Sequence, residues 1–88
     1  MRTIWKYTLN ITDRQTVSMP VFAEILTVQM QGGSLCLWAI VESDRNLEQR
    51  EFLIFGTGNP IPEQFCLHQH IGTVQVGGGV LVWHVFEA

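Results

Sequence analysis

The chain has 88 residues, 47% of them hydrophobic and 15% charged, and its five Lys and Arg against eight Asp and Glu leave a formal net charge of −3. That length supports one hydrophobic core and one domain, residues 1–88, but not two. The basic residues Arg2, Lys6, Arg14, Arg45 and Arg50 are scattered, which argues against a long nucleic acid, because such affinity rests on clustered cations that displace counterions.

No apolar run approaches the roughly 18–20 residues of a membrane span. Met1 and Arg2 lead straight into an alternating pattern rather than a signal peptide's apolar stretch, so the expected location is the cytoplasm. The apolar share exceeds what a monomer of this size needs, and the surplus predicts a homo-oligomer. A small anionic ligand stays open, since two or three local donors suffice to hold one.

In chain order, Trp5, Tyr7, Leu9 and Ile11 alternate with Lys6, Thr8 and Asn10, the pattern of a strand with one buried face. Asp13 and Arg14 mark a turn. A short strand is expected from Gln15 to Met19, ended by Pro20, whose ring removes a ladder donor. Leu26, Val28 and Met30 alternate with Thr27, Gln29 and Gln31, and Gly32-Gly33 follows with the freedom a tight hairpin demands. Ser34 to Glu42 is apolar on both faces, so this strand is central or lies where two subunits meet. Within it Cys36 reads as a buried free thiol, with a disulfide to Cys66 as the alternative.

Ser43 to Arg50 is the charge-rich stretch, read as an exposed connection in which Ser43 or Asp44 could cap a single helical turn. Phe52 to Phe55 predicts another strand. Gly56 to Pro62 is too densely punctuated by Gly and Pro for regular structure. Ile71 to Val76 and Val80 to Phe86 form a last pair across residues 77–79. The expected fold is all-β: a small antiparallel barrel or sandwich of six to seven strands with at most one short helical turn.

Chemistry-bearing groups are few. Cys66, His68 and His70 would share a face of an extended segment, but structural zinc sites show wider spacing between ligand pairs and need a fourth ligand, so no metal is assigned. Gly56-Thr57-Gly58 could present amides to an anion. Neither a helix start nor a Lys-Ser/Thr pair follows it, so the dinucleotide and P-loop motifs fail and a plain turn competes. Trp5, Trp38, Trp83, Tyr7 and five phenylalanines are foremost core residues, yet they also supply stacking platforms for a nucleobase. Trp83 and His84 alternate, so one faces out if the other faces the core. No nucleophile–base–acid signature or carboxylate pair is present, and the chain is read as a non-enzyme without cofactors.

Thr3 to Leu9 (TIWKYTL), Met19-Pro20, Ala23 to Gln29 (AEILTVQ), Leu37 to Val41 (LWAIV), Phe55 to Gly58 (FGTG), Ile71 to Val74 (IGTV) and Val82 to Phe86 (VWHVF) together resemble a family of small proteins encoded by tailed bacteriophages and prophages. In size and strand-rich pattern that family is similar to compact phage β-barrels that act as sponges, oligomers that sequester nucleotide signals of CBASS or Thoeris immunity. The resemblance implies a phage-encoded, non-enzymatic binder in the bacterial host's cytoplasm that clasps a cyclic nucleotide or cyclic ADP-ribose-like ligand near a subunit interface. The positions it points to are Trp5, Lys6, Gly56, Thr57, Gly58, Thr73 and His84. The rival readings are an inhibitor that binds a host defence protein directly, and a minor structural or regulatory protein of the phage.

Overall fold

The alternation that begins at Thr3 becomes strand β1 (Arg2–Leu9) in a computed structural model of the protein, which describes residues 1–88. It is followed by β2 (Arg14–Pro20), β3 (Glu24–Gln31), β4 (Ser34–Glu42), β5 (Leu47–Gly56), β6 (Gln69–Val76) and β7 (Leu81–Glu87). There is no helix, and every pairing is antiparallel. The strands form a three-stranded sheet of order β1-β4-β3 and a four-stranded sheet of order β2-β5-β7-β6. Of the two architectures expected, this is the sandwich, and its shortest dimension of 16 Å suits two stacked layers.

The two-residue period decides which side chains meet between the sheets. Leu9, Val28, Leu35, Leu37, Ala39 and Val41 from the first sheet pack with Met19, Phe52, Ile54, Val74 and Val85 from the second in one cluster. Phe52, Met19, Leu37 and Val85 are wholly buried, and each side chain of this size contributes about 1.5–3 kcal/mol on leaving water. The strand apolar on both faces, β4, is indeed central to its sheet. Gly32 and Gly33, with φ of 57° and 82°, close the β3–β4 hairpin in the primed-turn geometry that matches strand twist.

One segment differs from expectation. Ser43 to Arg50 holds no helical turn; the chain reverses within residues 43–46, where Arg45 N–H donates to Glu42 O at 3.1 Å, and β5 has already begun at Leu47. Its polar first half is held by β2, in a register running from Leu47 opposite Pro20 to Leu53 opposite Arg14. Outward side chains pair across that ladder, as Arg14 does with Glu51. Inward, Arg50 reaches Glu87 through Nε at 2.5 Å and Nη2 at 2.9 Å, while its Nη1 donates to Ala23 O at 2.7 Å. The Glu87 hydrogen bonds raise the Arg50 guanidinium above its ordinary pKa, against the opposing effect of burial.

Two further features shape the surface around the site. Leu53 and Phe55 point away from the main core yet are 0% and 3% exposed, and the β5–β6 connection helps to cover Phe55. Its Phe65 packs on Phe55 with ring centroids 5.7 Å apart. At the edges β3 and β6, each strand carries a bulge, between Ile25 and Thr27 and between His70 and Gly72. The sheets approach so closely there that a Cβ on Gly72 would lie 2.8 Å from Val28 Cγ2. Both cysteines are free, with Cys36 buried and Cys66 exposed.

Candidate functional site

On β7, Trp83 and His84 take opposite faces, as alternation requires. Trp83 pairs with Gly56 and Val74 and packs against the core cluster. His84 sits between Phe55 and Thr73 on the outward face of the four-stranded sheet. Thr57 continues β5 for one more residue, its N–H donating to Val82 O at 3.2 Å, and this carries its hydroxyl to His84.

A continuous polar row results. Thr57 Oγ1 lies 2.7 Å from His84 Nε2, His84 Nδ1 lies 3.0 Å from Thr73 Oγ1, and Thr73 Oγ1 lies 3.0 Å from His70 Nε2. The His70 ring rests against Phe86, centroids 5.2 Å apart. Each neutral imidazole offers one donor and one acceptor, and each hydroxyl one donor. The row is therefore satisfied with every bond pointing from Thr57 toward His70, or with every bond reversed. Adding a proton to His84 makes both its nitrogens donors, which the two threonine oxygens accept while Thr73 O–H still donates to His70.

Beside the row lies a recess of ≈ 350 Å³ lined by Gly56, Thr57, Asn59 and residues 79–83, within the size range of small-molecule sites. Thr57 belongs to both the row and the recess. Trp83 forms the apolar wall, packed so tightly on Gly56 that a Cβ there would stand 3.1 Å from Trp83 Cζ3. No residue of the three-stranded sheet lines this recess.

A Thr oxygen 2.7 Å from an imidazole nitrogen has the spacing of a nucleophile and its base. Here, however, the far nitrogen of His84 meets the Thr73 hydroxyl, not a carboxylate that would stabilise an imidazolium. The loop amides are mostly engaged as well: Thr57 N–H bonds Val82 O and Asn59 N–H bonds Gly56 O at 3.0 Å. Gly58 N–H has no acceptor among these turn bonds, but the engaged Thr57 N–H precedes it and the engaged Asn59 N–H follows it, so Gly56-Thr57-Gly58 is a turn rather than an anion nest of successive amides. The arrangement suits hydrogen-bond recognition better than acyl transfer.

A family model described as a domain of unknown function, DUF7352, matches residues 1–88. The chain belongs to the DUF7352 family. No curated protein and no solved structure matches it.

Of the positions singled out in this DUF7352 sequence, the structure brings Gly56, Thr57, Gly58, Thr73 and His84 together. It separates Trp5 and Lys6 from them. Both belong to β1, which pairs with β4 in the other sheet. Trp5 lies opposite Ala39 at 38% exposure, and Lys6 donates from the other face to Gln31 Oε1 at 2.8 Å. Strand periodicity alone misses His70: simple alternation places residues 70 and 73 on opposite faces, and the bulge between His70 and Gly72 restores them to one. Cys66 and His68 precede β6 in the irregular connection, and no three metal-ligating side chains converge anywhere in this DUF7352 chain.

Proposed function

We propose that this chain is a non-enzymatic binder that holds a small nucleotide-type anion at the recess between Thr57, Asn59 and Trp83. Following the phage resemblance, the ligand is a cyclic nucleotide or cyclic ADP-ribose-like immune signal, and the protein is a sponge that sequesters it in the cytoplasm of the bacterial host. The observation that carries this reading is the meeting of the apolar recess with the Thr57–His84–Thr73–His70 row at Thr57. Such a site offers an indole surface for a base, the Thr57 hydroxyl for a sugar, and the Asn59 side-chain amide with the neighbouring Gly58 N–H for phosphate oxygens. No Lys or Arg lines the recess, so affinity rests on stacking and neutral donors more than on charge.

The test is a thermal-shift titration of the purified protein against cyclic dinucleotides, cyclic oligonucleotides and cyclic ADP-ribose isomers. One compound at a hundred times its Kd is expected to stabilise the fold by about 2.7 kcal/mol, and Thr73→Val, which cuts the row in the middle, is expected to weaken that response. A flat response across the panel sinks the reading. Recovery of one host defence protein with the chain would then favour the protein-inhibitor alternative.

A further inference from the structure

Outside the recess, the outward face of the three-stranded sheet carries exposed apolar side chains. Ile4 lies opposite Ile40 and Lys6 opposite Trp38, and Leu26, the bulged residue of β3, completes an apolar strip with them. Ile4 is 55% and Leu26 45% exposed. The strip is indented: one hollow of ≈ 470 Å³ lies among Arg2, Thr3, Ile4 and Ile40, and a second of ≈ 260 Å³ lies between Ile4, Leu26 and Trp38.

At the end of the strip, on the β3 side, stands Phe22. It is 81% exposed and has φ of 67°, a left-handed conformation that a bulky side chain adopts only under strain. The Arg45 guanidinium lies 5.3 Å from its ring centroid, and the ring borders the same face as Arg2, Ile40 and Glu42. A large aromatic held in water by a strained backbone is a projecting knob, and the hollow beside Ile4 and Ile40 lies at the same end of the sheet on the β1 side.

We propose that this face binds a second copy of the chain, related by a two-fold axis parallel to β4. Such an axis exchanges the β1 and β3 flanks at equal height, so Phe22 of each subunit enters the Arg2–Ile4–Ile40 hollow of the other. The charges agree with the same operation. The outward positions of β1 carry Arg2 and Lys6 and no acid, whereas those of β3 carry Glu24, Gln29 and Gln31 and no base. The exchange sets one flank over the other, the self-complementarity that an isologous interface requires. Trp38 and Ile40 meet their own copies on the axis, and Glu42, which also lies near it, keeps Arg2 beside it in both subunits. This assignment does not depend on the ligand recess, none of whose lining residues lies on this face.

Sedimentation equilibrium tests it. The full chain is expected at twice its 10.0 kDa mass, with Phe22→Gly and Ile4→Lys each weakening association by at least about tenfold. Glycine accepts the positive φ without strain, so Phe22→Gly keeps the subunit folded, which a thermal melt verifies. Arg2→Glu is expected to weaken the dimer, and Arg2→Glu with Glu24→Arg to restore it. A wild-type monomer at about 100 μM, a dimer indifferent to both Phe22→Gly and Ile4→Lys, or a charge reversal without rescue would each overturn the proposal.

Discussion

Arg50 ties three parts of the molecule together, and its removal gives the sharpest stability prediction. Its bidentate contact to Glu87 joins β5 to the end of β7, and its third nitrogen holds Ala23 O in the β2–β3 connection, from which the other sheet starts. The two side chains are 16% and 15% exposed. Arg50→Met keeps an apolar stem but leaves the Glu87 carboxylate unpaired and Ala23 O without its donor. Breaking a fully buried pair costs about 3–5 kcal/mol; discounted to about half for the remaining solvent contact, this is about 2 kcal/mol, and the orphaned carbonyl adds about 1 kcal/mol. The expected loss of about 3 kcal/mol lowers Tm by about 12–24 °C in a domain of this size. Urea titrations of the wild type, Arg50→Met, Glu87→Gln and the double variant complete a cycle in which the double variant recovers about 2 kcal/mol relative to additivity. A loss under about 1 kcal/mol, or strict additivity, refutes the tie.

Gly72→Ala is expected to cost about 1–3 kcal/mol by overpacking, because the new methyl stands 2.8 Å from the buried, branched Val28; Val28→Ala in the same chain should return part of the loss in a denaturation cycle. Tyr7 carries a buried hydroxyl with no partner, so Tyr7→Phe is expected to be neutral or stabilising by up to about 1 kcal/mol. Desolvation raises the Tyr7 pKa above 10.0. The folded state thus keeps that proton longer than the unfolded chain, and stability is full below pH 10 and falls as pH rises through the folded-state value. Urea midpoints measured across that range should decline less in Tyr7→Phe, and an identical decline would refute the assignment. Phe65→Ala uncovers Phe55, with an expected loss of about 2 kcal/mol, half the figure for a fully buried ring; limited proteolysis within residues 57–68 should quicken in step.

The strands with one apolar face, β1, β3 and β6, were legible because burial on one side forces a two-residue period, whereas β4 and, apart from His84, β7 were legible as runs apolar on both faces. The first half of β5 was not. Glu48 to Glu51 contains no apolar residue; what makes it a strand is the ladder to β2, whose Met19 and Val17 supply the apolar side chains opposite it, and an ion pair whose second member lies at the far end of the chain. The same limit divides the candidate site. His84, Thr73 and Thr57 sit on adjacent strands of one sheet, so facing rules suffice to relate them. Trp5 and Lys6 share a strand whose partner, β4 rather than β7, no local pattern encodes. Bulges are likewise invisible to periodicity, and His70 depends on one.

The pairing of β1 with β4 and of β2 with β5 also governs how the chain reaches this state. Arg2 finds its partner at Glu42 and Arg14 at Leu53, so large loops must close before either amino-terminal strand is rewarded with contacts, whereas the hairpins β3–β4 and β6–β7 form between neighbours in sequence. Pairing of that range places folding in the millisecond-to-second regime of non-local β proteins, which stopped-flow refolding would read directly. On the ribosome the consequence is an order of events: β1 and β2 emerge with no partner to pair with, and at about 5–20 residues per second their alternating apolar edges wait for seconds until β4 and β5 are made.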